Sequence, residues 1–363
     1  MLLVLTFHID ANLHAPFGPP TSAVPLWLAF VRAGHSGVDL FFVLSSFLLS
    51  LPFFTAAAQG RRLNTRGYFA RRALRILPLY YSAVAVGTVV CARGPGDLAR
   101  GLPYLLFLNA LATPLTPWSA VWWSLCTEAQ FYLLLPFLSP CLRSRTGRVW
   151  GLVALAAYAA VYSAFFAGVF RMPTNYMAAW LGMSLFGRAP QFLAGIAAAA
   201  LYARGGCAGR AELEASFWLR NGCADALFWG ALLAQGWLLQ WLVPLGAATE
   251  RVPYHAWHIL SGRLWAIVLL LLVLSPLRSK PLFCNRWFTT LGVLSYSVYI
   301  VHVPLVRLSF QALRGAGLGC VYDWNVRSAI VGLILVAVCL ALSAMTYRLI
   351  ERPFLVRKES LRA

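Results

Sequence analysis

Apolar runs close to twenty residues long recur from one end of this 363-residue chain to the other. Each approaches the length an α-helix needs to cross ~30 Å of hydrocarbon at 1.5 Å per residue. They fall at about 37–55, 72–92, 120–140, 149–168, 188–203, 223–243, 257–275, 288–311 and 326–349, with a shorter one at 1–8. In lipid every backbone N–H and C=O has to be satisfied within the protein, so such runs fold as helices. The sequence therefore predicts an all-α, polytopic transmembrane helical bundle of about ten spans, the first truncated, with no soluble appended domain. Hydrophobic residues at 60%, charged residues at 11% and a mean hydropathy of +0.71 exclude an ordinary soluble domain.

Two segments are too short to span. The run 101–112, between Pro103 and Pro114, is expected to form a surface or re-entrant helix. The run 1–8 makes a helix of only ~12 Å, and residues upstream of Met1 are expected to complete it. The eight cysteines are scattered and never form CxxC. Neither a disulfide framework nor a metal site is expected from them.

The formal charge of +19 does not point to nucleic acid, because the basic residues sit in short loops between apolar runs. Placing the loop before Tyr68 in the cytoplasm makes 141–148, 204–222, 276–287 and the C-terminus cytoplasmic too. These regions hold most of the chain's 30 basic residues, Lys280 and Lys358 among them. With ten spans, both termini are then cytoplasmic, and 357–363 forms a short tail in the cytoplasm. The densest cluster is Arg71, Arg72 and Arg75, just after Arg61, Arg62 and Arg66. Topology is already satisfied by the upstream three. Planar guanidinium forks at the start of a membrane helix suit the phosphates of a cytoplasmic donor.

Ionisable groups inside membrane spans are expensive and mark functional positions. His8 closes the first run, and His35 and Asp39 stand at i and i+4 at the outer end of the second. Ser124, Glu128 and Tyr132 form one helical stripe, and Ser295, Tyr299 and His302 another. Placed by depth, these residues outline a polar cavity with the arginines at its inner face. Blander readings exist for three features. His35 sits where water begins, His302 is near carbonyls freed by Pro304, and Trp118, Trp122 and Trp123 fit an interfacial belt.

Five stretches together resemble the acyltransferase 3 family of integral-membrane O-acyltransferases. They are Gly34–Phe47 (GHSGVDLFFVLSSF), Tyr68–Tyr80 (YFARRALRILPLY), Trp123–Tyr132 (WSLCTEAQFY), Leu291–Pro304 (LGVLSYSVYIVHVP) and Tyr347–Phe354 (YRLIERPF). They occur in the family's order along nearly the whole chain, so the resemblance implies an acyltransferase domain over 1–356. It gives His8 the position of the catalytic base and Arg71, Arg72 and Arg75 the site of an acyl-CoA donor, with Tyr80 of the same stretch expected to join them. His8 is expected either to deprotonate the acceptor hydroxyl or to take the acyl group itself. It implies acetyl transfer to a hydroxyl of an extracytoplasmic glycan or glycolipid, such as lipopolysaccharide, at the inner (plasma) membrane. Glu128 is expected to orient His8 or relay its proton, and His35, Asp39, Ser124, Tyr132, Tyr299 and His302 to line the cavity. No permanently bound cofactor or metal is implied. Ser46 stands where the family has glycine, Ala129 where it has a second glutamate, and the family's first helix carries an arginine about a dozen residues before its histidine.

Two rival classes use the same residues. In a proton-coupled transporter, Glu128, His302 and Asp39 would form a relay, although the chain shows no internal repeat. In a receptor or assembly subunit the chemistry would be degenerate. Acceptor choice falls to outer loops at 9–33, 169–187, 244–256 and 313–325, which carry no readable motif.

Overall fold

The computed structural model describes residues 1–13, 24–61, 63–108, 115, 118–138, 141, 144–170, 180–215, 222–244, 255–317 and 326–360. Among these no strand occurs. The helices are α1 (Leu2–Leu13), α2 (Leu26–Arg32), α3 (Gly37–Ala58), α4 (Thr65–Cys91), α5 (Leu102–Leu105), α6 (Trp122–Leu134) and α7 (Arg145–Phe166). They continue as α8 (Leu185–Ala215), α9 (Ala224–Leu242), α10 (Trp257–Leu274), α11 (Lys280–Phe283), α12 (Arg286–Gly315), α13 (Val326–Thr346) and α14 (Arg352–Ser360). A π-helical stretch, Tyr347–Glu351, joins the last two. Arg62, Arg143, Arg220, Arg362 and most of the expected acceptor loops (14–23, 171–179, 245–254, 318–325) lie outside the described residues.

Among the described residues six helical stretches are long and apolar enough to cross a membrane: Gly34–Ala58, Thr65–Cys91, Arg145–Phe166, Trp257–Leu274, Arg286–Gly315 and Val326–Arg357. The chain is a multi-pass helical membrane protein. The runs at 1–8, 120–140, 188–203 and 223–243 are helical as well, without being among those six. The short run at 101–112 forms a 3-10 stretch, Pro95–Gly101, followed by the single turn of α5.

One expectation needs correction. His8 does not end the first helix; α1 runs on to Leu13, giving ~18 Å of helix. Ile9 and Leu13 continue the face begun by Leu5, and this stripe beds against Val298, Val306 and Phe310 of α12 and Leu335 and Cys339 of α13. Burial of that face keeps the helix going past the histidine.

The described residues divide into two compact units. The first comprises Met1–Gly37, Asn64–Ala129 and Arg286–Ala363, the second Val38–Leu63 and Gln130–Asn285. In the first unit α1 lies against α12 and α13, and α14 lies against α4. α1 also presses on the 3-10 turn Gly34–Ser36. A Cβ at Gly34 would stand 2.1 Å from the Leu3 carbonyl oxygen, so only glycine fits there. α4 opens with Asn64, whose Oδ1 accepts the Gly67 N–H at 3.0 Å, an N-cap that starts the helix just ahead of its arginines.

In the second unit α8 and α9 both pack on α10. α8 meets α3 at backbone distance, since a Cβ at Gly195 would lie 2.2 Å from the Val43 carbonyl oxygen. The rings of Phe42 and Phe131 stack on Phe192 at 4.6 and 4.4 Å between centroids. Asp225 at the start of α9 accepts the N–H groups of Arg278 and Ser279, each at 3.0 Å, and pins the loop after α10.

Candidate active site

The first unit contains two polar nests. The inner one is built where α4, α12 and the π-helical stretch meet. Arg71, Arg72 and Arg75 occupy the second and third turns of α4 and are all half-buried. Arg71 and Arg75, at i and i+4, share a face. The Arg75 guanidinium lies over the Tyr296 ring at 5.8 Å and 3.6 Å from the carboxylate of Glu351. Glu351 is buried and also accepts a hydrogen bond from the Ser297 hydroxyl. A buried carboxylate persists only when paired and hydrogen-bonded, and Arg75 and Ser297 supply both needs. The π-helical turn is the local distortion that presents Glu351 here. Tyr296 completes the nest by donating its hydroxyl to the Ile76 carbonyl at 2.8 Å.

Glu128 belongs to this inner nest. It is buried on α6, and its charge acts on Tyr68, which also feels Arg72, and on Tyr296, which also feels Arg75. The groups acting on His8 are His302, Arg307 and His35. The structure thus sets Glu128 within electrostatic reach of α4 and α12.

The outer nest is made by α1, the 3-10 turn at Gly34–Ser36, α12 and the start of α6. The His8 ring lies 5.1 Å from the His302 ring between centroids, and Phe7 sits edge-on to both His8 (5.1 Å) and His35 (5.3 Å). His302 is fully buried. Its Nδ1 lies 3.0 Å from the Val298 carbonyl and 2.8 Å from that of Tyr299. Carbonyl oxygens only accept, so Nδ1 carries the proton and Nε2 presents a lone pair. These carbonyls are not the one freed by Pro304, which is that of Ile300, four residues before it. The Tyr299 and Ser124 hydroxyls meet over the Val121 carbonyl, 3.0 and 3.1 Å from it. Ser295, by contrast, turns back to the Gly292 carbonyl of its own helix.

The nests are close together. Ser297 and His302 are five residues apart on α12, ~7.5 Å of axial rise, and Ser124 and Glu128 are one turn apart on α6. Along α12 the two groups of residues are thus separated by little more than one helical turn.

Three expected residues have other surroundings. Tyr80 is fully buried: it donates its hydroxyl to the Tyr104 carbonyl at 2.9 Å and stacks on Phe107 at 4.9 Å. No part of it is left to touch a donor, so its place is in packing. Asp39 and Tyr132 belong to the second unit. There Arg188 donates to Asp39 Oδ1 at 3.0 Å and Gln191 donates to it at 2.9 Å. Arg188 also donates to His258 Nδ1 at 2.6 Å, which leaves that lone pair facing the guanidinium and the His258 proton on Nε2. His35, i−4 from Asp39 in sequence, belongs to the first unit, where its ring meets Phe7.

Sequence reasoning passed over Glu351, Ser297, Arg188, Gln191 and His258. Arg188 and His258 could have been found as ionisable residues inside apolar runs. Glu351 stood in the quoted C-terminal stretch without a role.

These features define a multi-pass helical membrane protein with two adjoining polar nests in one unit. The chain belongs to the acyltransferase domain family, whose pattern it matches over residues 1–346. It is 24% identical to "Putative peptidoglycan O-acetyltransferase YrhL" of Bacillus subtilis, across 100% of this chain and 54% of that protein. It is 26% identical to "Putative acetyltransferase ORF330" of Acidianus two-tailed virus, across 77% of this chain and 76% of that one. A third relative, "Peptidoglycan O-acetyltransferase OatA" of Listeria monocytogenes, is 28% identical across 31% of this chain and 21% of its own length. The chain thus spans about half the length of the Bacillus relative. No solved structure matches it.

Proposed function

We propose that this protein is a membrane O-acetyltransferase that moves an acetyl group from cytoplasmic acetyl-CoA to a hydroxyl of an extracytoplasmic cell-envelope glycan, with peptidoglycan the acceptor named for two relatives. The observation that carries the reading is the pairing, in one compact unit of an acyltransferase-family chain, of a half-buried arginine nest with an imidazole nest about one turn deeper.

Arg71, Arg72 and Arg75 hold the donor's phosphates through charge-assisted, forked hydrogen bonds. Glu351 and Glu128 keep the nest from being a bare block of positive charge, which would otherwise repel itself in the low-dielectric span. The donor's slender arm then has only ~7.5 Å of helix to traverse between the Ser297 and His302 levels. At the outer nest His8 accepts the proton of the acceptor hydroxyl as its oxygen attacks the thioester carbonyl. The C–O bond forms, the C–S bond breaks, and the thiolate leaves with the proton. The inner-membrane location with both termini in the cytoplasm belongs to the same reading, supported by the basic loops.

The reading is tested by calorimetric binding of coenzyme A to the detergent-solubilised full chain. Wild type is expected to bind, and the Arg71→Ala, Arg72→Ala double variant to lose at least ~100-fold in affinity, about 2.8 kcal/mol at 1.4 per decade. Wild-type protein that binds no coenzyme A contradicts the reading and favours a transporter using Glu128, His302 and Asp39.

A further inference from the structure

We infer that His302 is a positioning residue for His8: its Nε2 is the built-in acceptor that fixes the His8 imidazole with its catalytic nitrogen deprotonated. The inference rests on the acyltransferase reading and deepens it.

Three observations carry it. His302 is fully buried, and Nε2 has no hydrogen-bond partner among the described residues. A buried imidazole nitrogen left unpaired costs ~1–3 kcal/mol, so such an atom calls for a partner that arrives during function. Next, its proton is fixed at the other nitrogen. Nδ1 faces two carbonyl oxygens, of Val298 and Tyr299, at 3.0 and 2.8 Å, and these oxygens can only accept. His302 can therefore offer nothing but a lone pair at Nε2. Finally, a second imidazole lies beside it, that of His8, 5.1 Å away between centroids and tilted by 55°. With ring nitrogens turned toward each other, that spacing leaves about 3 Å between them, a hydrogen-bond length.

A small rotation of the half-buried His8 ring brings one of its N–H groups onto His302 Nε2. The tautomers then follow in order. The carbonyls take the His302 proton, His302 takes the proton of one His8 nitrogen, and the second His8 nitrogen is left as the base that faces the acceptor hydroxyl. The hydrogen-bonded neighbour of a catalytic imidazole sets which nitrogen is basic. Here a neutral imidazole backed by two carbonyl dipoles performs that task where a carboxylate often does. When His8 takes the hydroxyl proton, the cation it forms donates to His302 and through it to the helix carbonyls. The proton leaves again on the thiolate, and His302 ends the cycle as it began. Tyr299 holds the arrangement from below, since its ring lies 5.7 Å from His302 while its hydroxyl is anchored on Val121.

The test compares His302→Gln with His302→Phe in the full chain, using radiolabelled acetyl-CoA and purified peptidoglycan fragments as acceptor. Gln presents an amide oxygen that can accept the His8 N–H, whereas Phe fills the space without accepting. His302→Phe is expected to lose at least ~100-fold in kcat with KM for acetyl-CoA within about twofold, the range of a lost acid–base arrangement. His302→Gln is expected to regain at least ten-fold over Phe. Retained coenzyme A binding by both variants shows that they are folded. Phe at wild-type rate, or Gln no better than Phe, overturns the inference and leaves the acyltransferase reading standing. A wild-type protein that transfers nothing overturns that reading itself.

Discussion

Each unit buries a histidine among polar neighbours, and the two are finished differently. In the second unit His258 turns its lone pair to Arg188, which is itself paired with Asp39, so the buried charges close on each other. In the first unit His302 is held by its own helix through Nδ1 and keeps Nε2 without a partner among the described residues, beside a second imidazole that is only half-buried. A closed network of this kind contributes specificity to a packed interior, whereas an open one stores an unmade hydrogen bond. The difference separates a residue set that holds the fold from one that can act on a substrate, although both read alike in sequence as ionisable groups in apolar runs.

Breaking the closed network has the largest expected effect. Arg188→Ala leaves the buried Asp39 carboxylate without its guanidinium partner, a cost of about 3–5 kcal/mol. Thermal unfolding in detergent is expected to show a marked fall in Tm. The double variant Arg188→Met, Asp39→Leu, which removes both charges, should recover most of it. If the single variant melts like wild type, the network does not stabilise the second unit and the contrast fails.

A smaller effect sharpens the same contrast inside the first unit. Glu351→Gln keeps the shape of the inner nest and removes the charge facing Arg75, whose side chain is partly exposed. The pair is therefore discounted for solvent. Coenzyme A affinity is expected to change by about ten-fold at most, read as KM for the donor, with kcat little altered. A loss in kcat with unchanged KM would move Glu351 out of the donor nest.

Much of this was legible in the sequence, and the failures have physical causes. Helical class, the clustering of Arg71, Arg72 and Arg75, and the shared stripe of Tyr299 and His302 on α12 follow from periodicity and from the expense of charge in lipid. The reach of α1 was misjudged because Asp10 and Asn12 interrupt its hydropathy, while Leu5, Ile9 and Leu13 keep one face buried. Glu128 was matched to His8 by depth alone. Depth along a helix says nothing of azimuth, and its charge acts on Tyr68 and Tyr296. Asp39 was grouped with His35 by an i, i+4 rule that assumes one continuous helix, yet Gly34–Ser36 is a 3-10 turn ahead of α3. Arg188 and Asp39 are 149 residues apart, and pairing over such a distance is invisible to local reading.

On the proposed function, donor binding and proton transfer are divided between two adjoining nests. This division is tested most directly by His8→Ala in the full chain, with coenzyme A binding and acetyl transfer measured on the same preparation. The account predicts wild-type affinity for coenzyme A together with a loss of about 100- to 10,000-fold in transfer. Transfer at the wild-type rate, or a parallel loss of coenzyme A binding in a folded protein, would contradict it.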